Sequence, residues 1–185
     1  MITHALTIIC NEIRRHLGET YGIGDPAKLV RLANIAEGLA AGGAEREMLV
    51  LSVVNIKEDK SLRNIPRVNV TLGEVHEHPP VFLSLTLLVC ATHAKYTDAL
   101  LAVSHVLRYF QSQPVFTQDN VAAASISTDA PAHQSDQLAN FNFGVDLQSL
   151  SGEEVHHIWA SLGGKQYPFA VYQLRMLDLK FQALV

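Results

Sequence analysis

The sequence predicts an α/β (α+β) fold in a single domain over residues 1–185, with a mixed or antiparallel sheet of about five to six strands packed by two to three helices. Three stretches point that way. Residues 81–90 alternate Val81, Leu83, Leu85, Leu87 and Val89 against Phe82, Ser84, Thr86 and Leu88, the period-two pattern of a strand with one apolar and one mixed face. Tyr96, Ala99, Leu100, Val103, Val106, Leu107 and Phe110 then keep one continuous stripe at helical spacing. Ser151-Gly152-Glu153-Glu154 is a capping box ahead of Val155, Ile158, Trp159 and Leu162, with Gly163-Gly164 as a left-handed stop. A chain of 185 residues buries about 70% of the surface it exposes when unfolded, enough for one substantial core.

The remaining elements follow in order. Residues 3–17 place Leu6, Ile9, Cys10, Ile13 and Leu17 on one helical face, with Thr3 placed to cap the helix and Gly18 to end it. After the break at Gly22-Ile23-Gly24-Asp25-Pro26, residues 28–35 and 48–56 read as strands, separated by a turn or loop over 38–44. Charge and Pro66 make 57–67 an exposed loop. Residues 117–137, rich in Ala, Ser, Asp and Gln, read as a long loop or partly mobile arm. Alternation of Phe141, Phe143, Val145 and Leu147 gives a strand over 140–147, and β-prone residues after Pro168 give a last strand over 169–179.

Composition excludes several functions. The net charge is −4 and no basic cluster exceeds Arg14-Arg15, so the electrostatic footprint of a nucleic-acid binder is missing. The N-terminus lacks a charged region before an apolar stretch, and Ser84 and Thr86 interrupt the longest apolar run, so neither a signal peptide nor a membrane span is expected. Cys10 and Cys90 lie far apart without CxxC spacing, as for reduced, buried thiols in a cytoplasmic protein.

Chemical motifs are weak. His76 and His78 sit beside Pro79-Pro80 in what reads as an irregular loop, and the adjacent His156 and His157 diverge by about 100° on a helix. Gly18 to Gly24 follows a helix, the reverse of a phosphate-binding turn. Ser104 and His105 are neighbours on a helix and cannot act as nucleophile and base. Trp159 reads as core rather than as an interface anchor. No acid, base and nucleophile set can be assembled from spacing, so no catalysis, metal or cofactor is expected.

The order and wording of several segments resemble a known family. An N-terminal helix is followed by Met48-Leu49-Val50-Leu51-Ser52-Val53-Val54-Asn55-Ile56-Lys57-Glu58-Asp59 and Leu62-Arg63-Asn64-Ile65-Pro66. Then come Pro79-Pro80-Val81-Phe82-Leu83-Ser84-Leu85, Tyr96-Thr97-Asp98-Ala99-Leu100, Val106-Leu107-Arg108-Tyr109-Phe110-Gln111 and Pro114-Val115-Phe116-Thr117. Together with Trp159-Ala160-Ser161-Leu162 and Tyr167-Pro168, these resemble the tail cap, or terminator, proteins of phage-tail-like contractile injection systems of the virulence-cassette and antifeeding-prophage type, in their N-terminal domain. The resemblance implies a structural, cofactor-free protein, assembled in the cytoplasm and then part of the injection particle. It also implies a homo-oligomer, a hexameric ring on the last layer of inner tube and sheath that ends polymerisation.

A terminator must match one layer and offer nothing to the next. On that expectation the last strand lies near a sheet edge, where Phe169, Val171, Tyr172 and Arg175 pair with an extended arm of the last sheath subunit. Lys57, Glu58, Asp59, Arg63, Asn64 and Arg67, in the charged loop, would meet the tube or a neighbouring copy. Two rival readings stay open: the stronger is a small non-catalytic adaptor that binds a peptide strand at a sheet edge, the other an enzyme with His76 and His78 as metal ligands.

Overall fold

A computed structural model describes residues 1–22, 29–37, 48–59 and 82–177. The elements are α1 (Ile2–Tyr21), β1 (Val30–Leu32), β2 (Leu49–Glu58), β3 (Leu83–Ala91), α2 (Tyr96–Ser112), β4 (Val115–Thr117), α3 (Ala123–Ser127), β5 (Asn142–Gln148), α4 (Gly152–Ser161) and β6 (Phe169–Leu177), with short 3-10 turns at Ile35–Glu37 and Gln134–Asp136. The six strands form one sheet in the order β1-β2-β3-β6-β5-β4. Only β1 and β2 run parallel; the other neighbours are antiparallel, so the sheet is mixed, as expected.

The first helix is longer than its sequence suggested. Met1 precedes it without a side-chain cap, and Gly22, at φ 62°, supplies the left-handed stop with its N–H on Gly18 O. Gly18 is therefore interior to α1, and the terminating glycine is the one whose backbone takes a conformation that a Cβ would disfavour. The second helix carries Asp98 in its first turn, where a carboxylate favours the helix dipole, and Pro114 follows soon after its end. In α4 the capping box is complete: Glu154 N–H donates to Ser151 Oγ, and Ser151 N–H donates to the Glu154 carboxylate.

The two faces of the sheet pack differently. Leu49, Leu51, Leu85, Leu87, Val89, Tyr172 and Leu174 face α1 and α2 and form the main core with Ile9, Ile13, Val106 and Phe110. On the other face, α4 seats Trp159 over Val50, Leu88, Cys90 and Val171, so Trp159 is core, as its helical position suggested. Both cysteines are buried free thiols, and burial pushes their pKa values up, to about 11 for Cys10 and about 12 for Cys90.

Three expectations need correction. β6 is not near an edge: β3 and β5 occupy both of its sides, from Leu83↔Met176 to Cys90↔Phe169 and from Asn142↔Leu177 to Gln148↔Val171. Its backbone is thereby committed, and an arm cannot add to it as a strand. Lys57 and Glu58 belong to β2 rather than to a loop, because they pair with Ser84 and Leu83. Residues 117–137 are not a bare loop, since they contain α3 and a 3-10 turn held against α1 by side chains from that helix. The loop expected at 38–44, and His76 and His78, lie outside the described residues.

Candidate partner-docking face

Among the described residues, α4 packs on one end of its face of the sheet, over Val50, Leu88, Cys90 and Val171. Cross-strand neighbours share a face, so the register lists its rows directly. Val50, Cys90 and Phe169 form the row under α4, and Ser52, Leu88, Val171 and Gln148 the next. Beyond them lie Asn55, Thr86, Gln173 and Asp146, and then Lys57, Ser84, Arg175, Gly144 and Val115. Apolar residues give way to polar ones where α4 stops covering the sheet.

A bulge in β2 puts Lys57 on this face. Val53 pairs with Leu87 on the core side, but Asn55 pairs with Thr86, so Val54 is an extra residue. That one residue inverts the alternation: Leu49, Leu51 and Val53 face the core, whereas Asn55 and Lys57 face away from it. Without it Lys57 would point toward the layer of α1 and α2.

Lys57 and Arg175 stand two strands apart across Ser84, with backbones about 10 Å apart at the usual strand spacing. Both are exposed. Gln173 Nε2 donates to Ser84 Oγ at 2.7 Å, and Arg175 Nε lies 3.4 Å from Asp146 Oδ2. Gly144 leaves the row open, as a Cβ there would meet nothing within 4 Å. The result is a polar row with two exposed cations, Lys57 and Arg175, and one exposed carboxylate, Asp146, around the buried Ser84, suited to a partner that offers carboxylates and hydrogen-bond acceptors.

The interface residues expected from sequence are thus redistributed. Lys57 and Arg175 come together in one row. Phe169 and Val171 lie under α4, and Tyr172 is in the main core, where burial raises its hydroxyl pKa to about 12. Glu58, opposite Leu83, is exposed at the end of β2 on the other face, and Asp59 follows with its N–H on Phe82 O. Arg63, Asn64 and Arg67 lie outside the described residues. Sequence reasoning missed Ser84, Thr86, Asp146 and Gln173; the mixed face of residues 81–90 was the available signal for the first two.

A second polar cluster holds residues 118–138 in place. His4 is buried, with Nδ1 accepting from Leu138 N–H at 2.8 Å and Nε2 3.0 Å from Ile126 O, which sets the tautomer with hydrogen on Nε2. Asn11 Nδ2 donates to Ser125 O and Thr128 O. Glu12, with no exposed side chain, receives Arg15 Nε and Nη2 and the Ala122 N–H. Burial pushes the Glu12 carboxyl up, but hydrogen bonds from Arg15, Ser125 and Ala122 outweigh it and hold the group below the usual glutamate range.

The histidine and serine motifs stay apart. Ser104 Oγ donates to Leu100 O, while the His105 ring stacks on Tyr21 at 3.7 Å. His157 pairs with Glu153 at 3.5 Å, and the His156 and His157 rings sit 6.2 Å apart. Among the described residues there is no group of three or more His, Cys, Asp or Glu able to hold a metal ion, and no helix is long and apolar enough to cross a membrane.

A family model described as the Pvc16 N-terminal domain matches residues 4–184. The chain belongs to this family. No curated protein matches it. Among solved structures, a chain described as the PVC sheath/tube terminator in extended state, from an extracellular contractile injection system studied by cryo-EM, shares its fold with a TM-score of 0.58 and 16% identity. That match covers 96% of this chain and 57% of the other, so this Pvc16 N-terminal domain spans little more than half the length of its structural relative.

Proposed function

We propose that this chain is a structural terminator domain of a contractile injection system. It forms a ring, hexameric by the family resemblance, on the last layer of inner tube and sheath, ends polymerisation and steadies the sheath. It assembles in the cytoplasm and then stays in the particle, without catalysis, a cofactor, nucleic acid or a membrane. The family match over residues 4–184 carries this reading, and the likeness of fold to a sheath/tube terminator supports it.

In this reading the row built on Lys57, Ser84 and Arg175 meets acidic and polar groups of a sheath or tube subunit. Glu58, on the other face, and Asp59, with Arg63, Asn64 and Arg67 in the segment that follows, make a separate contact with the tube or a neighbouring copy. A rigid sheet presents these groups at fixed spacing, which favours register over raw affinity.

The test is deletion of the gene in the producing cell, followed by electron microscopy of released particles. Tubes of uncontrolled length, or sheaths missing at one end, are the expected result. Normal, closed particles would overturn the terminator role.

A further inference from the structure

Side chains of the same molecule meet backbone groups at both outer edges of the sheet. At β1, Arg14 Nε donates to Val30 O at 2.8 Å, with Cys10 Sγ 3.7 Å from the same oxygen. At β4, the Asn120 carboxamide does more. Its Nδ2 donates to Val115 O at 2.9 Å, and its Oδ1 accepts from Thr117 N–H at 2.8 Å. Thr117 O in turn accepts the N–H groups of Asn120 and Val121.

This pattern has a specific meaning. In a parallel pair, one residue of a strand donates to the carbonyl of residue j of its neighbour and accepts from the N–H of residue j+2. Asn120 contacts Val115 and Thr117 in that way, so its side chain takes the place of one residue of an added strand. The edge it fills would otherwise be hazardous, because Val115 is 43% exposed and the strand end offers unpaired backbone groups beside an apolar side chain.

We propose that Asn120 is a built-in strand surrogate that keeps β4 from pairing with β4 of a second copy of this chain. The inference stands on the β4 geometry alone and does not depend on the terminator reading. Contacts between copies, or with sheath and tube, are then left to faces of the fold rather than to its edges.

The test compares the unsubstituted chain with Asn120→Ala, Asn120→Asp and the double variant Asn120→Ala/Val115→Lys by multi-angle light scattering over a concentration series, with circular dichroism as the check of folding. Asn120→Ala should at least double the mass relative to the unsubstituted chain at the same concentration. Asn120→Asp, which keeps the acceptor for Thr117 but places an anion against the Val115 carbonyl, should also associate. Lysine at position 115 should restore the original mass, since a charge on an edge strand opposes pairing. Hydrogen exchange at Thr117 should quicken in Asn120→Ala. A folded Asn120→Ala with unchanged mass would overturn the proposal, as would association that Val115→Lys leaves intact. Loss of fold in both single variants would also overturn it, because the bonds would then be holding the turn together rather than screening the edge.

Discussion

Glu12 Oε1 accepts the backbone N–H of Ala122 at 3.1 Å, joining the first helix to the start of α3 across 110 residues of chain. The same carboxylate receives Arg15 at 2.7 Å. Replacing Glu12 by alanine leaves the Ala122 N–H without its acceptor, and should lower the unfolding free energy by about 2–3 kcal/mol in urea titrations. Arg15's side chain is 37% exposed, so the loss should stay below that of a fully enclosed ion pair.

Acid should destabilise the fold in two stages. His16 and His105 are held below their usual value of 6.5, first by burial and then by nearby Arg15 and Arg108. For each, the unfolded chain binds a proton more readily, so stability falls as pH drops below 6.5 through the lower folded values. Glu12 sits below its usual 4.5, and its contribution is present above that value and lost as pH falls through the folded one. Stability measured from pH 8 to pH 3 should show both declines, and Glu12→Gln should flatten only the more acidic one.

The indole of Trp159 packs against Phe169 at 5.3 Å and Tyr167 at 6.1 Å, and its Nε1 has no hydrogen-bond partner among the described residues. Trp159→Ala should cost about 3–5 kcal/mol through the cavity it leaves. Trp159→Phe should cost less than about 1.5 kcal/mol, because it keeps an aromatic ring there and removes the unpaired donor. Thermal unfolding followed by circular dichroism ranks the two.

Neither cysteine should react with a thiol reagent in the native state at pH 8, since burial raises both pKa values. Two thiols per chain should appear on unfolding in guanidinium. Rapid native labelling of either would show that its helix or strand opens locally.

Lys57→Glu with Arg175→Glu should leave stability within about 0.5 kcal/mol of the unsubstituted protein, because both side chains are exposed. Retention on purified particles, scored by immunoblot, should fall sharply. Unchanged retention would remove the polar row from the docking surface.

What could be read from sequence was local. The capping box at Ser151 and Glu154, the stripe of α2 and the alternation of residues 81–90 each depend on neighbours within a few positions. The place of β6 could not be read, because strand order is set by pairing between distant segments. Residues 117–137 looked like a loop because their polar groups are satisfied by His4, Asn11 and Glu12, more than a hundred residues earlier. Those three polar residues interrupt no helical pattern and so gave no signal. Lys57 and Arg175 were singled out separately, but only the bulge at Val54 and the register of β3 place them in one row.

The sheet has a seam. Among the described residues, strands β1, β2 and β3 make one ribbon and β4 and β5 another, and β6 is the strand that joins them in the sheet. A ribosome releases residues 169–177 only after both ribbons, so the two halves must wait for the last of these strands before they become a single surface. Arg175 arrives with it. A growing chain therefore cannot bring Lys57 and Arg175 into one row until β6 has been made and paired with β3.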